Sequence, residues 1–322
     1  MKVLMFGRGV ITTTYGWAFS EAGHEVTYLV RPGKSGLLGG KVTLNLIDAR
    51  QLAGKQERTV DLNVTCVESL AGLANYDLTV VSVRHDQMHA AAEQLAAAPR
   101  PRLGTLFFNN CWDDPAFVTA PLGGSEVLWG FPVAGGGFTD ELHLRAAIMP
   151  NVHLAEAEDG NAQLHSEVKE LFESSGLKVE VHNDFRAWLW LHFAVNAGMV
   201  SQALIQKESS EQLVSSSREL ARAARLAREA VQVVYARGIS PTAHRSETAI
   251  ATMPPFLAGL VVKNLAGRNA ATRRLMTVDT DERSLARFPL DVLAEADRLQ
   301  VACPRLQAAE ASARALLKVH NT

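Results

Sequence analysis

The chain has 322 residues, 47% of them hydrophobic, enough for two ordinary domains with separate cores. A formal net charge of −2 with dispersed basic residues lacks the electrostatic footprint of a nucleic-acid binder, so no nucleic-acid partner is expected. Cys66, Cys111 and Cys303 are too scattered for a metal-ligand spacing or a disulfide framework, and no apolar run reaches membrane-spanning length, so neither metal nor membrane is expected.

The apolar run Met1 to Phe6 reads as a strand without a leader pattern, and the expected location is cytoplasmic. Gly7-Arg8-Gly9 follows directly, and a helix begins near Val10 and ends near Ala22-Gly23. A strand closing on Gly-x-Gly turns tightly and brings its backbone close to a pyrophosphate, which the following helix N-terminus can hold. Gly7, Arg8, Gly9, Val10 and Ile11 are therefore the candidate cofactor loop. Thr12 occupies the position of a third glycine, adding a side chain where helix and strand approach closely. Arg31 closes the next apolar run, His24 to Val30, with Lys34 just beyond. At that strand end an acidic residue accepts from a free ribose 2′-hydroxyl, whereas an arginine accommodates a 2′-phosphate, so NADP(H) is the expected cofactor. The rival reading is a glycine turn in a doubly wound domain without a cofactor.

Leu78 to Val83 and Thr105 to Asn109 are further strand-like runs, and Met88 to Ala97 is helical. Such alternation predicts a parallel sheet with helices on both faces. Beyond Gly130, Gly135-Gly136-Gly137 reads as a loop, and His143 to Met149 and Val152 to Ala157 read as a hairpin around Pro150-Asn151. A helix from about Ala162 to Ser174, ended by Gly176, and a strand from Lys178 to His182 complete a Rossmann-type domain over residues 1–183. Asp184 is the expected N-cap of a long helix, Phe185 to about Leu204, and Leu213 to Arg237 reads as a second helix ended by Gly238 and Pro241. The remainder is helical, with breaks expected at Pro254-Pro255, Gly267, Pro289 and Pro304. The fold class is thus α/β: a doubly wound N-terminal sheet followed by an all-helical domain over residues 184–322, with a cleft expected between them.

Ligands of open α/β sheets lie beyond the carboxyl ends of the strands, where Arg84 and Asn110 follow their apolar runs. With these residues the chain resembles the ketopantoate reductase family (2-dehydropantoate 2-reductases), as a divergent member. Val81-Ser82-Val83-Arg84 resembles the family's aliphatic run before a basic phosphate ligand, with Arg84 in place of the usual lysine. Phe107-Phe108-Asn109-Asn110-Cys111 resembles its strand closing on Asn-Gly, with Asn110 as the asparagine near nicotinamide and substrate. The stretch from Arg186-Ala187-Trp188 to Val195-Asn196 is similar to the family's second-domain helix. The resemblance spans nearly the whole chain and implies NADPH-dependent reduction of a 2-oxo acid in pantothenate biosynthesis. It also allows a homodimer through the helical domain.

Where the family places its catalytic lysine, this chain has His192, while Asn196 matches the family's substrate-binding asparagine. The i, i+4 spacing puts both on one helical face. A histidine donates a proton to an alkoxide only as the imidazolium, and its ordinary pKa of about 6.5 allows this near neutrality; the rival reading is a packed core or cleft histidine. The family also carries a Thr-Glu pair about twenty residues before a proline, its glutamate binding the substrate hydroxyl. Counting back from Pro304 reaches Arg283-Ser284, with Asp281 and Glu282 just upstream, so Glu282 and Ser284 are the candidates there. Arg273, Arg274, Arg283 and Arg287 could clamp a substrate carboxylate, or form a solvated helix face. The expected activity is NADPH-dependent reduction of a 2-oxo acid, ketopantoate first. The alternatives are a bulkier ketone held beside Trp112, Trp188 and Trp190, and a non-catalytic NADP-binding protein.

Overall fold

The computed structural model describes residues 1–50, 57–123, 126–158, 160–277 and 282–319, and the chain divides into two compact units, Met1–Phe185 and Arg186–Thr322. In the first unit the strands are β1 (Lys2–Phe6), β2 (Glu25–Leu29), β3 (Gly40–Asp48), β4 (Glu57–Val67), β5 (Leu78–Val81), β6 (Gly104–Phe108), β7 (Val127–Phe131), β8 (Ala134–Asp140), β9 (His143–Ile148), β10 (Asn151–Ala155) and β11 (Lys178–His182). Its helices are α1 (Val10–Glu21), α2 (Ser35–Leu38), α3 (Met88–Ala96), α4 (Pro115–Thr119) and α5 (Ala162–Ser174).

Among the described residues the strands form one sheet in the order β11-β10-β7-β6-β5-β1-β2-β4-β3-β9-β8. The run β4-β2-β1-β5-β6-β7 is parallel throughout and has the doubly wound Rossmann order. Parallel strands covered on both faces are continuously apolar. In β1, Val3 and Met5 join a core with Tyr15 and Phe19 of α1 and Leu171 and Phe172 of α5, while Leu4 on the opposite face is equally buried. The expected α/β class is the one observed.

Several local expectations need correction. β9 and β10 do not pair with each other: β9 lies between β3 and β8, and β10 between β7 and β11. A tight two-residue hairpin requires positive φ, which the ring of Pro150 forbids. Gly135-Gly136-Gly137 is not a loop but part of β8, where a Cβ on Gly136 would overlap the Arg145 carbonyl of β9. Strands β3, β4 and β7 come in addition to those expected.

The second unit contains α6 (Phe185–Gln206), α7 (Ser210–Ser215), α8 (Ser217–Ala236), α9 (Ala249–Thr252), α10 (Pro255–Arg268), α11 (Ala270–Thr277), α12 (Glu282–Leu299) and α13 (Glu310–Val319). The single helix expected from Leu213 to Arg237 is two, because Ser216 is extended (φ −113°, ψ 108°) and its hydroxyl accepts the Glu219 amide at 3.3 Å. Gly267 does not break α10, which runs to Arg268; Asn269 does, its Oδ1 accepting the amides of Ala271 and Thr272 at the start of α11. Pro289 lies inside α12 rather than ending it. The lost amide bond and ring clash cost about 3 kcal/mol, which burial of Ala286, Val292, Leu293 and Ala296 along the same helix outweighs. No helix among the described residues is long and apolar enough to cross a membrane.

Candidate active site

The registers Phe6↔Leu29, Phe6↔Val81 and Val81↔Phe107 level the carboxyl ends of β2, β1, β5 and β6. Residues following these strands therefore share one edge of the sheet: Gly7 to Ile11, Arg31, Arg84 and Asn110. Gly7 sits at φ +96°, its amide donates to the Leu29 carbonyl at 3.0 Å, and a Cβ there would meet nothing within 4 Å. The loop is thus held from below and open above. Gly9 caps α1, and the amides of Val10 and Ile11 open its first turn, where no intrahelical acceptor exists. This is a cradle of the form that binds a pyrophosphate.

Thr12 does not spoil the cradle. Its hydroxyl turns back to Gly9, accepting that amide at 2.8 Å and donating to that carbonyl at 3.1 Å. The tight contact with β2 falls one turn later, where a Cβ on Gly16 would overlap the Tyr28 hydroxyl. The Arg8 side chain is spent on structure: it is 3% exposed, lies 4.9 Å over the Phe138 ring and donates to the Glu141 carbonyl at 2.6 Å. Burial lowers its pKa, and its Nε and Nη1 lack partners.

Arg31 is exposed, and its side chain has no hydrogen-bond or ion-pair partner among the described residues. The turn beyond it is fixed by Glu68, which the sequence reading missed. Its carboxylate accepts the Ser35 amide at 2.8 Å, and hydrogen bonds from the Ser35 hydroxyl and the amides of Gly33 to Ser35 hold it down at about 2. The alternation of Val60, Leu62, Val64 and Cys66 before it was the available signal for a strand. Arg84 is paired with Asp86 at 3.1 Å, so a phosphate there must compete with a carboxylate. Asn109 ties the strand ends together, its side-chain amide donating to the Val83 carbonyl and its backbone amide to that of Gly130 at 3.1 Å. Asn110 is left with a buried Oδ1 that has no partner, an orphaned acceptor of the kind a ligand amide satisfies.

In the second unit, His192 and Asn196 lie one turn apart on α6, both half-buried, among the half-buried Val195, Met199 and Val200. The Trp188 indole stacks on the His192 ring at 5.1 Å and 13°. The Asn196 side chain makes no hydrogen bond to the described residues. Trp190 is enclosed by guanidiniums, Arg237 at 4.5 Å and Arg186 at 5.2 Å. Phe193 stacks on Phe288 at 4.4 Å, fixing α12 against α6. Ser284 is half-buried in the first turn of α12, which Glu282 opens; the Glu282 and Arg283 side chains and Asp281 lie outside the described residues. Of the four arginines, Arg273 pairs with Glu211 and Ser215, and Arg287 with Asp291 at 3.8 Å.

Residues 3–159 match the family described as Ketopantoate reductase PanE/ApbA. No curated protein matches the chain. A PanE/ApbA family ketopantoate reductase from Ralstonia eutropha JMP134 superposes with a TM-score of 0.73 at 18% identity, covering 100% of both chains. D-mandelate dehydrogenase in a ternary structure with NADH and anilino(oxo)acetate gives 0.72 at 12% identity, again over 100% of both. A dimeric ketopantoate reductase from Staphylococcus aureus gives 0.68 at 11%, over 99% of both. At these identities the structures establish a shared fold. The family match covers the N-terminal residues 3–159, so that part of the chain is a ketopantoate reductase PanE/ApbA domain, and the whole chain shares the fold of these structures.

Proposed function

We propose that the chain is a reductase of a 2-oxo acid that uses NADPH, with ketopantoate as the leading substrate. The observation that carries this reading is the open cradle at Gly7-Arg8-Gly9, with the unpaired Arg31 beyond the neighbouring strand. In this reading the amides of Val10 and Ile11 hold the pyrophosphate and Arg31 takes the adenosine 2′-phosphate. Arg84 turns from Asp86 to a phosphate oxygen, and the orphaned Asn110 Oδ1 orients the nicotinamide amide. When bound, the cofactor supplies the hydride. From the second unit, His192 holds the proton that the developing alkoxide needs, and Asn196 fixes the substrate. Glu282 and Ser284 contribute contacts to the substrate hydroxyl. A second copy of the chain covers the outer side of α10, where Phe256, Leu260 and Leu265 are exposed.

A bulkier, aromatic 2-oxo acid is the second reading, favoured by the Trp188 indole stacked on His192. All three tryptophans are buried, Trp112 and Trp188 at 5% and Trp190 at 6% exposed, so the stacking of Trp188 on the half-buried His192 is what favours this reading. The chain should be incubated with NADPH or NADH and ketopantoate, pyruvate or phenylglyoxylate, following loss of the nicotinamide absorbance. Fastest turnover of ketopantoate with NADPH supports the first reading, and fastest turnover of phenylglyoxylate the second. Tight NADPH binding without turnover of any 2-oxo acid would refute both.

A further inference from the structure

The edge of the first unit's sheet brings together three side chains that the reductase reading does not use. β10 and β11 run parallel, with His153 opposite Glu180 and Ala155 opposite His182. Alternation puts Glu180 and His182, two residues apart, on the same face of the edge strand. His153 meets them there: its Nδ1 lies 2.9 Å from His182 Nε2 and 3.3 Å from Glu180 Oε2, and all three donor atoms fall within 4.8 Å of one another. A four-coordinate cation with bonds of about 2.0–2.1 Å requires donors roughly 3.3 Å apart. The two separations from His153 are close to that spacing, and the third pair lies within 4.8 Å.

We propose that His153, Glu180 and His182 form a site for a divalent transition-metal cation of the zinc type. Two imidazoles and one carboxylate form a donor set used by zinc sites that keep an open fourth position, and nitrogen donors select against magnesium and calcium. The surroundings orient the set. Asn151 Nδ2 donates to Glu180 Oε1 at 3.1 Å, which leaves Oε2 turned toward His153. The rings of Phe131 and Phe185 lie 6.3 Å from His153 and 6.1 Å from His182. The His153 side chain is 13% exposed and that of Glu180 54%, so the site is anchored on one side and open to solvent on the other. A bound cation would clip the edge strand β11 to β10. His153 and His182 are 29 residues apart in the chain, so only the strand pairing reveals the cluster.

The test uses the full, tag-free chain, treated with chelator and titrated with Zn2+ alone by calorimetry and Co2+ alone by visible absorption. One equivalent should bind, Co2+ should show the intense bands of a four-coordinate nitrogen and oxygen site, and His182→Ala should weaken binding at least tenfold. Glu180→Gln, at an exposed position that does not threaten folding, should weaken Zn2+ binding severalfold. His143→Ala, at the separate pair with Asp140, should leave the titration unchanged. Absence of saturable binding at one equivalent, or unchanged binding in both His182→Ala and Glu180→Gln, would overturn the proposal. These readouts need no turnover, so they stand or fall separately from the reductase reading.

Discussion

Gly16 of α1 faces Tyr28 of β2 with no room for a Cβ between them. The Tyr28 hydroxyl is buried without a partner, and burial raises its pKa. A buried hydroxyl that makes no hydrogen bond costs about 1–3 kcal/mol, so Tyr28→Phe should leave stability unchanged or raise it. Gly16→Ala places a methyl against that hydroxyl and should cost about 1–3 kcal/mol. In a chain already carrying Tyr28→Phe the same substitution should cost less, as urea melts of the four chains would show; full additivity would mean that the hydroxyl is not the obstacle. Arg31 allows a sharper test of cofactor choice. Arg31→Ala should weaken NADPH binding at least about tenfold, the worth of one charge-assisted hydrogen bond, while NADH binding changes little. Equal losses in fluorescence titrations of both cofactors would remove the 2′-phosphate assignment.

At the scale of elements, α12 is joined to the C-cap of α8 through Glu295, which accepts from Arg237 Nε at 2.8 Å and from Arg298 Nε at 2.7 Å. The hydrogen bonds from Arg298, joined by those from Arg237, hold its carboxyl at about 2 against the opposing effect of burial. That is below the value of about 4.3 for an unfolded glutamate, so its stabilisation is complete above that pH and is lost as pH falls toward 2. Glu295→Gln should therefore cost about 1–2 kcal/mol at pH 7, less than a fully buried pair because Arg298 faces solvent, and progressively less below pH 4, measured by urea denaturation across pH. A cost independent of pH would contradict the ion-pair account. Elements with strong local signals were legible in the sequence: β1, β2, β6, α1, α5 and β11 each have an uninterrupted period or a turn residue at their ends. Others depended on partners far along the chain. β8 looked like a loop because its glycines serve the backbone of β9, and Pro289 looked like a break because the burial that outweighs it is tertiary. β4 had a readable alternation that was overlooked, and with it went Glu68, the residue that fixes the turn beyond Arg31. The histidine and glutamate cluster had no local signal at all.

At the scale of the whole molecule, the first unit concentrates its candidate residues along one edge of the sheet, and the second concentrates its own on α6 and the start of α12. The proposed second copy on α10 predicts twice the chain mass in sedimentation equilibrium. Phe256→Glu should reduce it to a single chain, and a wild-type monomer at micromolar concentration would contradict this assembly. In the proposed reaction His192 donates the proton where the family that the chain resembles has a lysine. Steady-state NADPH oxidation with the best 2-oxo acid, compared among the wild type, His192→Ala and His192→Lys, tests it most directly. The account predicts a fall in kcat of about 100-fold or more for His192→Ala with NADPH affinity retained, and substantial recovery in His192→Lys with optimal activity at higher pH. Unchanged turnover in His192→Ala would contradict it.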